Sequence, residues 1–461
     1  MDTDKLLREN GIGPSNVSSY GEVAKLAASL ARFGKTENEI IEAVRAHFVI
    51  PERTKTPFRE TPKGALWILG DLGTDIEYSA LEQMQNVMRI PPATYGSLMP
   101  DAHQGYAMPI GGVVALENAV SPSFVGYDIA CRMTMSILDI PPEAFLASRS
   151  GLARNMQAVT LFGIGQGKFP DGNLRKHEVM ENHRWEEVPP AKALKTKAAN
   201  QLGSSGGGNH FFDALIGKVV TQAVWPSWLP VNENGEFVAI MTHSGSRGTG
   251  HNLATHYQKL AQEYTKQVAS GIPKGYEWLA MDTDAGREYW EAMELMGLYA
   301  QANHHLIHDH FMQRSGIAQL ARYENHHNFA WKDGDNYIHR KGATPAAKGQ
   351  VGIIPGSSGS PSYLVEGLGH APSLNSSSHG AGRTMSRTRA KAEYDAEKFD
   401  AHMKNADVLH FGIGADETPF CYKNIERIIA LQEGLLVRVI AELQPTIVIM
   451  AGSGKRADDG D

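Results

Sequence analysis

Cysteine is nearly absent from this sequence: Cys131 and Cys421 are the two thiols in 461 residues. Two cysteines cannot staple a chain of that length, so a disulfide scaffold is excluded, and the scarcity fits a reducing compartment. Long apolar runs are also missing, and a bilayer-crossing helix needs about 20 such residues. The opening MDTDKLLREN lacks the basic-then-apolar order of a secretory signal, so the expectation is a cytoplasmic protein with no membrane partner. Positive charge is in deficit, with 44 Lys and Arg against 51 Asp and Glu and a formal net charge of -7. That excludes a uniformly basic nucleic-acid coat and leaves room for a local cationic channel. The length permits several modest domains or one large one.

Residues 1 to 60 read as helical, because GEVAKLAASLARFG and NEIIEAVRAHF repeat apolar positions at helical spacing. Beyond them the texture changes to short β-branched runs, such as IGGVVALENAV and FVAIMT, set between glycine-rich turns and a few long helices. The mixture predicts an α+β fold. Helices are expected over Arg287–Arg314, Ala392–Lys404 and Asn424–Leu443, with a last strand at TIVIM. Regular βαβ alternation is missing, which weighs against a Rossmann or barrel arrangement. LFGIGQGK has no complete G-x-G-x-x-G, and GSGKR near the end lacks the spacing of a phosphate loop.

Histidine is abundant where cysteine is not: 13 of the 19 fall between His210 and His379. Several sit beside glycine, in GGGNHF, THSGSRG and SSHGAGR, where the backbone can approach a metal or a phosphate closely. Upstream, Asp128 and Cys131 in GYDIACRM are spaced to aim at one ion, and thiolate, imidazole and carboxylate together suit Zn²⁺ or Mn²⁺. An ordinary buried cysteine is the alternative for Cys131. His304, His305, His308 and His310 lie in one expected helix, and a solvated or capping role is preferred there over a metal clasp. His103, in the turn-like PDAHQG, can support a ligand or simply shape a loop. IIPGSSGSPSY and HGAGRTMSRTR present hydroxyls, backbone N–H groups and three arginines, Arg383, Arg387 and Arg389; these suggest an anion channel, with a salt-bridged helix face as the alternative.

Taken in order, PDAHQGYAMPIGGV, GYDIACRM, LGSSGGGNHF, HSGSRGTGH, HHNFA, HRKGATPA, IPGSSGSPSY, SSSHGAGRTMSR and DETPFCYKNI resemble the motifs of the RtcB-type RNA ligases. These enzymes join a 2',3'-cyclic phosphate or 3'-phosphate RNA end to a 5'-hydroxyl. The resemblance runs from about Leu81 to Ala451. It implies the family's own α+β fold in one catalytic domain; with the helical pattern of residues 1–60 and the polar last ten residues, the expected organisation is a helical amino-terminal extension over 1–60, a catalytic domain over 61–451 and a disordered tail over 452–461. It implies two Mn²⁺ ions, one held by Asp128, Cys131 and His210 and the other by Cys131, His243 and His327, with Cys131 bridging. His379 is implied as the nucleophile toward GTP, with Asn209, Asp213, Ser357, Ser362, Ala381, Gly382 and Tyr422 around the guanylate. Arg247, Arg340 and Arg383 are implied as clamps on RNA backbone or triphosphate. The implied partner is broken or spliced RNA, transfer RNA included, with a monomer as the default state and any accessory protein unidentified.

The chain departs from the family pattern at four places. Ala130 and Arg132 flank Cys131 where glycines are usual, so Arg132 is expected beside the ions, assisting phosphate or crowding it. Asp213 stands in place of a longer glutamate, and Met450 falls where the family places a lysine. A dinuclear metallophosphoesterase that processes RNA termini fits Asp128 and Cys131 as well, but leaves SSSHGAGR unexplained. A noncatalytic RNA-end binding protein would not need His379 or the metal set at all.

Overall fold

The computed structural model describes residues 1–10, 12–13, 17, 19–48, 55–163, 169, 172–220 and 226–452. The expected tail beyond Gly452, with Lys455, and residues 164–168 of LFGIGQGK lie outside them. The chain divides into two units, one of residues 1–58 with 263–272, the other of 59–262 with 273–461.

In the first unit, helices Thr3–Glu9, Tyr20–Arg32 and Glu37–His47 bury Leu7, Ile12, Val23, Ala27, Ile40 and Val44 in a common core. The helix from Glu37 opens with a reciprocal cap: Thr36 Oγ1 accepts from Glu39 N–H, and the Glu39 carboxylate accepts from Thr36 N–H at 2.8 Å. Thr56–Pro57 pairs in parallel with Ala269–Ser270.

The second unit is α+β, built on two sheets. The larger has eight strands: Gln319–His326, Arg132–Leu138, Glu236–Ser244, Phe211–Val219, Val437–Met450, Ser362–Gly367 and Val351–Ile354 in antiparallel sequence, with Leu409–Phe411 added in parallel to Val437–Met450. The smaller has five: Phe329–Asp333, Asn336–Lys341, Ile110–Glu117, Ala93–His103 and Leu66–Ile68. Met99, Val113, Ala115 and Ile338 of the smaller sheet share one apolar core with Ile354, Val365, Val437 and Val439 of the larger. One face of strands Phe211–Val219 and Glu236–Ser244, through Phe212, Ala214, Val238 and Ile240, packs on Phe145, Met156, Ile307 and Phe311 of helices Pro142–Val159 and Asp284–Ser315, while the other face buries Leu215, Ala239 and Met241 with Met133, Leu364 and Ala441. Both faces of these strands are therefore buried, and the period-2 alternation decides which side chains meet the helices and which meet the site.

Three expectations from local pattern are corrected. The helix expected over Asn424–Leu443 stops at Gln432; after a turn at Gly434 (φ 75°) the chain becomes the 14-residue strand Val437–Met450, which contains TIVIM as its end. Val437 and Val439 are β-branched and pair with Gly367 and Val365, and from Ala441 onward the strand is paired on both sides, which outweighs a helical reading of LLVRVIAEL. Ala392–Lys404 is two helices, Arg387–Ala392 and Ala396–Asn405, separated where Asp395 caps the second by accepting from Lys398 N–H at 3.0 Å. PDAHQG is not a turn at His103, since the strand Ala93–His103 runs through it. Among the described residues no helix is long and apolar enough to cross a membrane.

Candidate metal centre and nucleotide pocket

Strand alternation assembles the site. Phe211 and Asp213, His243, and Val448 and Met450 lie on three neighbouring strands, and all of them line one pocket of about 550 Å³. Phe211 is directly opposite His243 in the register, and Val448 opposite Asp213. His103 and Ile110 at the end of the smaller sheet, the turn Pro355–Ser358 and the segment His379–Arg383 close the remaining walls. The volume suits a nucleotide.

Two sets of buried donors converge at this pocket: Asp128, Cys131 and His210, and Cys131, His243 and His327, the ligand atoms of each lying within 4.8 Å of one another. Cys131 Sγ is 3.0 Å from His243 Nε2 and 3.6 Å from His210 Nε2, and His243 Nε2 is 3.3 Å from His327 Nε2. The backbone fixes the geometry, since His327 N–H donates to Cys131 O (2.9 Å) and Ala130 N–H to Asn328 O (2.9 Å). His243 Nδ1 faces Asn209 O at 3.3 Å, which as a donor leaves Nε2 with its lone pair toward the cluster. Arg247 Nη1 lies 3.1 Å from His210 Nδ1, so His210 Nε2–H donates to Asp128 Oδ2 at 3.0 Å; a metal ion held by these two residues would take the place of that proton. Burial would raise the Asp128 carboxyl, but the hydrogen bond and charge of His210 outweigh it and hold it down to about 2. Gly245 is obligatory here, because a Cβ would stand 2.0 Å from Asp128 Oδ1. One thiolate shared by two sets of imidazole and carboxylate ligands fits a pair of transition-metal ions.

The neighbouring residues fall differently from expectation. His326 points away from the cluster and packs on Phe329 and Trp331. Arg132 alternates to the face away from the cluster and pairs with Glu324, so it neither assists nor crowds the ions. Ala130 has φ 56°, the left-handed region where a Cβ is strained. Ala130→Gly is expected to stabilise the protein by about 1 kcal/mol, read as a higher thermal midpoint. His304 and His308 are neither solvated nor capping: both are buried in the core, His304 bonded to Thr242 and Ser244 O, His308 to Ser136 and Thr242. Burial pushes His304 down to about 3, so it is neutral. His305 pairs with Glu324 and His310 Nδ1 lies 2.6 Å from Leu306 O.

His379 follows the short strand Ser376–Ser378, which pairs with Ala343–Pro345, and its ring is 4.9 Å from that of His327. Its Nδ1 is 2.8 Å from Asp101 Oδ2, which also accepts the His379 backbone N–H at 3.2 Å. Asp101 is fully buried; burial would raise its carboxyl, yet His379 and the Lys423 ammonium keep it below the usual range. Lys423 is itself held by the carbonyls of Asp75 (2.7 Å) and Ala102 (2.6 Å). With Nδ1–H donated to this carboxylate, Nε2 is the nitrogen available to react. Neither Asp101 nor Lys423 was singled out by the sequence, although both lie inside quoted motifs; a lone acidic residue two before His103 was the available signal. Asp101→Asn keeps the volume but inverts the tautomer, and a rate loss on the order of 10²- to 10⁴-fold is expected in single-turnover assays.

Asn209, Asp213, Ser357, Ala381, Gly382 and Tyr422 line the pocket with His379. Ser362 does not: it is buried, and its hydroxyl accepts Gly356 N–H at 3.1 Å, shaping the turn that carries Ser357. Gly382 (φ 72°) has no room for a Cβ, which would meet Asp101 O at 2.2 Å. Asp213 is buried with Oδ1 unpartnered, and burial pushes its carboxyl well above the ordinary range. A raised carboxyl favours the fold below its unfolded pKa of about 3.9 and loses that contribution as pH rises through the folded value. Asp213→Asn is therefore expected to raise the thermal midpoint at neutral pH without nucleotide, while weakening nucleotide binding in the same protein.

The arginine channel is corrected as well. Arg389 pairs with Glu393 on the helix surface, and Arg387 lines the pocket bound to Glu417 and Asp416. Arg383 donates to Asp416 O (2.8 Å) and Tyr422 Oη (3.2 Å) and lies 3.6 Å from Glu417. Carboxylates placed under two of the three arginines cancel much of the expected positive field. Of the three expected clamps Arg383 alone reaches the pocket; Arg247 braces His210, and Arg340 lines a different cavity.

A family model described as tRNA-splicing ligase RtcB matches residues 83–451. The chain is 30% identical over 411 residues to an RNA-splicing ligase RtcB of Escherichia coli, covering 82% of this chain and 95% of the relative. It is 28% identical over 445 residues to a tRNA-splicing ligase RtcB of Archaeoglobus fulgidus, covering 80% and 90%. An RNA-splicing ligase RtcB of Mycobacterium tuberculosis is 28% identical over 427 residues, covering 79% and 98%.

Proposed function

The chain belongs to the RtcB family of RNA ligases, and from that premise we propose that it seals RNA 2',3'-cyclic phosphate or 3'-phosphate ends to 5'-hydroxyl ends with GTP and two Mn²⁺ ions, through a guanylate carried on His379. The observation that carries the reading is His379, oriented by a buried carboxylate and set 4.9 Å from the ring of a residue of the thiolate–imidazole cluster. A phosphoesterase needs the cluster but has no use for a second, separately oriented imidazole at its edge.

When bound, the ions neutralise phosphate charge and activate water for opening a cyclic phosphate. Asp101 holds the His379 proton on Nδ1, so Nε2 attacks the α-phosphorus of GTP; the P–N bond forms and pyrophosphate leaves. The RNA 3'-phosphate oxygen then takes the guanylate, breaking the P–N bond and returning His379 to its neutral form. The RNA 5'-hydroxyl attacks the activated 3'-phosphorus and GMP departs. Asn209, Asp213, Ser357, Ala381, Gly382 and Tyr422 hold the guanylate, with a carboxylate at Asp213 accepting from the base edge. Ser362 acts through the turn. The ligase works as a monomer in the cytoplasm, with residues 61–451 as its catalytic domain and residues 1–60 an extension.

The test is incubation of cyclic-phosphate and 5'-hydroxyl RNA strands with Mn²⁺ and each nucleoside triphosphate. Joined product with GTP supports the reading; ends hydrolysed to 3'-phosphate with no joining, GTP or not, would establish the phosphoesterase instead.

A further inference from the structure

A second cavity, of about 810 Å³, shares no residue with the nucleotide pocket. It opens between the edge strand Gln319–His326 of the larger sheet and the hairpin of Phe329–Asp333 and Asn336–Lys341 on the edge of the smaller one. Its lining joins three kinds of group: the guanidiniums of Arg132 and Arg340, the rings of Trp331 and His326, and the amides of Gln350 and Asn375.

The two arginines differ in how their charge is met. Arg132 is neutralised by Glu324. Arg340 is 6% exposed and has no carboxylate in ion-pair contact among the described residues; its Nε donates to Ser376 Oγ (2.8 Å) and its Nη2 to Leu374 O (2.9 Å), while its guanidinium lies 4.5 Å from the centre of the Trp331 ring. The Nη1 donors are not used in these contacts. Burial pushes the guanidinium down to about 9, with Asp333 acting against it only at range. A buried cation held by neutral groups alone is costly, and an oxyanion against its remaining donors removes the cost while making charge-assisted hydrogen bonds. The lining carries Arg132, Arg340 and Lys332 against Glu324 and Asp333, which leaves one positive charge in excess.

We propose that this cavity is a phosphate-binding site separate from the nucleotide pocket, in which Arg340 receives the oxyanion and Trp331, Gln350 and Asn375 contact the group that bears it. The oxyanion can come from an RNA strand or from a free phosphate compound. Both sources present the same chemistry to Arg340, and the site does not depend on the ligation reading, since phosphate binding is measured without GTP or metal.

The full chain is titrated with inorganic phosphate, and in a second arm with a short single-stranded RNA lacking terminal phosphates, while tryptophan fluorescence is followed. Trp331 lies against Arg340 and no tryptophan lines the nucleotide pocket, so the signal belongs to this cavity. A saturable change is expected that disappears in Trp331→Phe, and whose midpoint rises about tenfold or more in Arg340→Gln, the loss of a charge-assisted bond. Because Arg340 also ties down Leu374 and Ser376, Lys332→Glu on the exposed rim is the second variant; it is expected to raise the midpoint with the unfolding curve unchanged. A response to RNA at lower concentration than to phosphate assigns the site to the strand, and a response to phosphate alone to a free anion. No Trp331-dependent change in either arm, or a change that survives both charge variants, overturns the proposal.

Discussion

Cys131→Ala should reduce bound Mn²⁺ from two ions to none, and RNA sealing should fall by on the order of 10³-fold or more with it. The expectation follows from geometry: Cys131 Sγ belongs to both ligand sets, so its loss leaves each with two groups. His243 and His327 would remain in contact with each other and Asp128 with His210, without the thiolate that joins the two sets. Replacing His327 instead should weaken one site and spare the other. Metal analysis of the purified variants separates these outcomes; two ions retained in Cys131→Ala would show that the sulfur bridges nothing. Unfolding curves distinguish metal loss from collapse, because the carbonyl and N–H of residue 131 still make the backbone bonds to His327 and Asp128.

His379→Ala should have the opposite signature. Both ions remain, since His379 is in neither ligand set, yet guanylate transfer to the protein disappears and sealing falls by on the order of 10³-fold or more. The block lies at one step. An RNA already carrying GMP on its 3'-phosphate has passed the work of His379, and the variant should still seal it to a 5'-hydroxyl end. Failure of the variant on activated RNA would give His379 a role in the final displacement as well. The contrast with Asp101→Asn is quantitative, because that change leaves the nucleophile present and disturbs only which nitrogen carries the proton.

The site residues were more legible in the sequence than their surroundings, and the reason is physical. A metal or phosphate site needs particular side chains with glycine beside them, and Gly245 and Gly382 show why: a Cβ at either would collide with Asp128 or with Asp101. Such constraints leave local motifs. What surrounds them is decided by which face of a strand a residue occupies, and that depends on register. Arg132 and Arg340 look alike in sequence to arginines that reach a substrate, but one turns to Glu324 and the other opens into a second cavity. His304 and His308 carry the i,i+4 spacing of a metal clasp, yet their helix lays that face on Thr242 and Ser136 of the sheet, where hydrogen bonds satisfy them. Ser362 belongs to the phosphate-like motif but builds its turn rather than its surface.

The fold was legible to the same degree. Composition and pattern announced α+β, and the apolar runs IGGVVALENAV and FVAIMT became strands Ile110–Glu117 and Glu236–Ser244. LLVRVIAEL misled because a register shift buries Val439, Ile440 and Ala441 in succession and breaks the period-2 alternation; only its partners Ser362–Gly367 and Phe211–Val219 make it a strand. Asp101 escaped notice for a related reason. Its importance comes from a contact with His379 across 278 positions of sequence, which no local pattern encodes.

The most direct measurement is the mass of the protein after incubation with GTP and Mn²⁺ without RNA. A gain of one guanylate, mapped to His379, lost on adding RNA with a 3'-phosphate end and absent from His379→Ala, is the expected result. A protein that binds both ions and processes RNA ends with no gain in mass would contradict the histidine-guanylate mechanism.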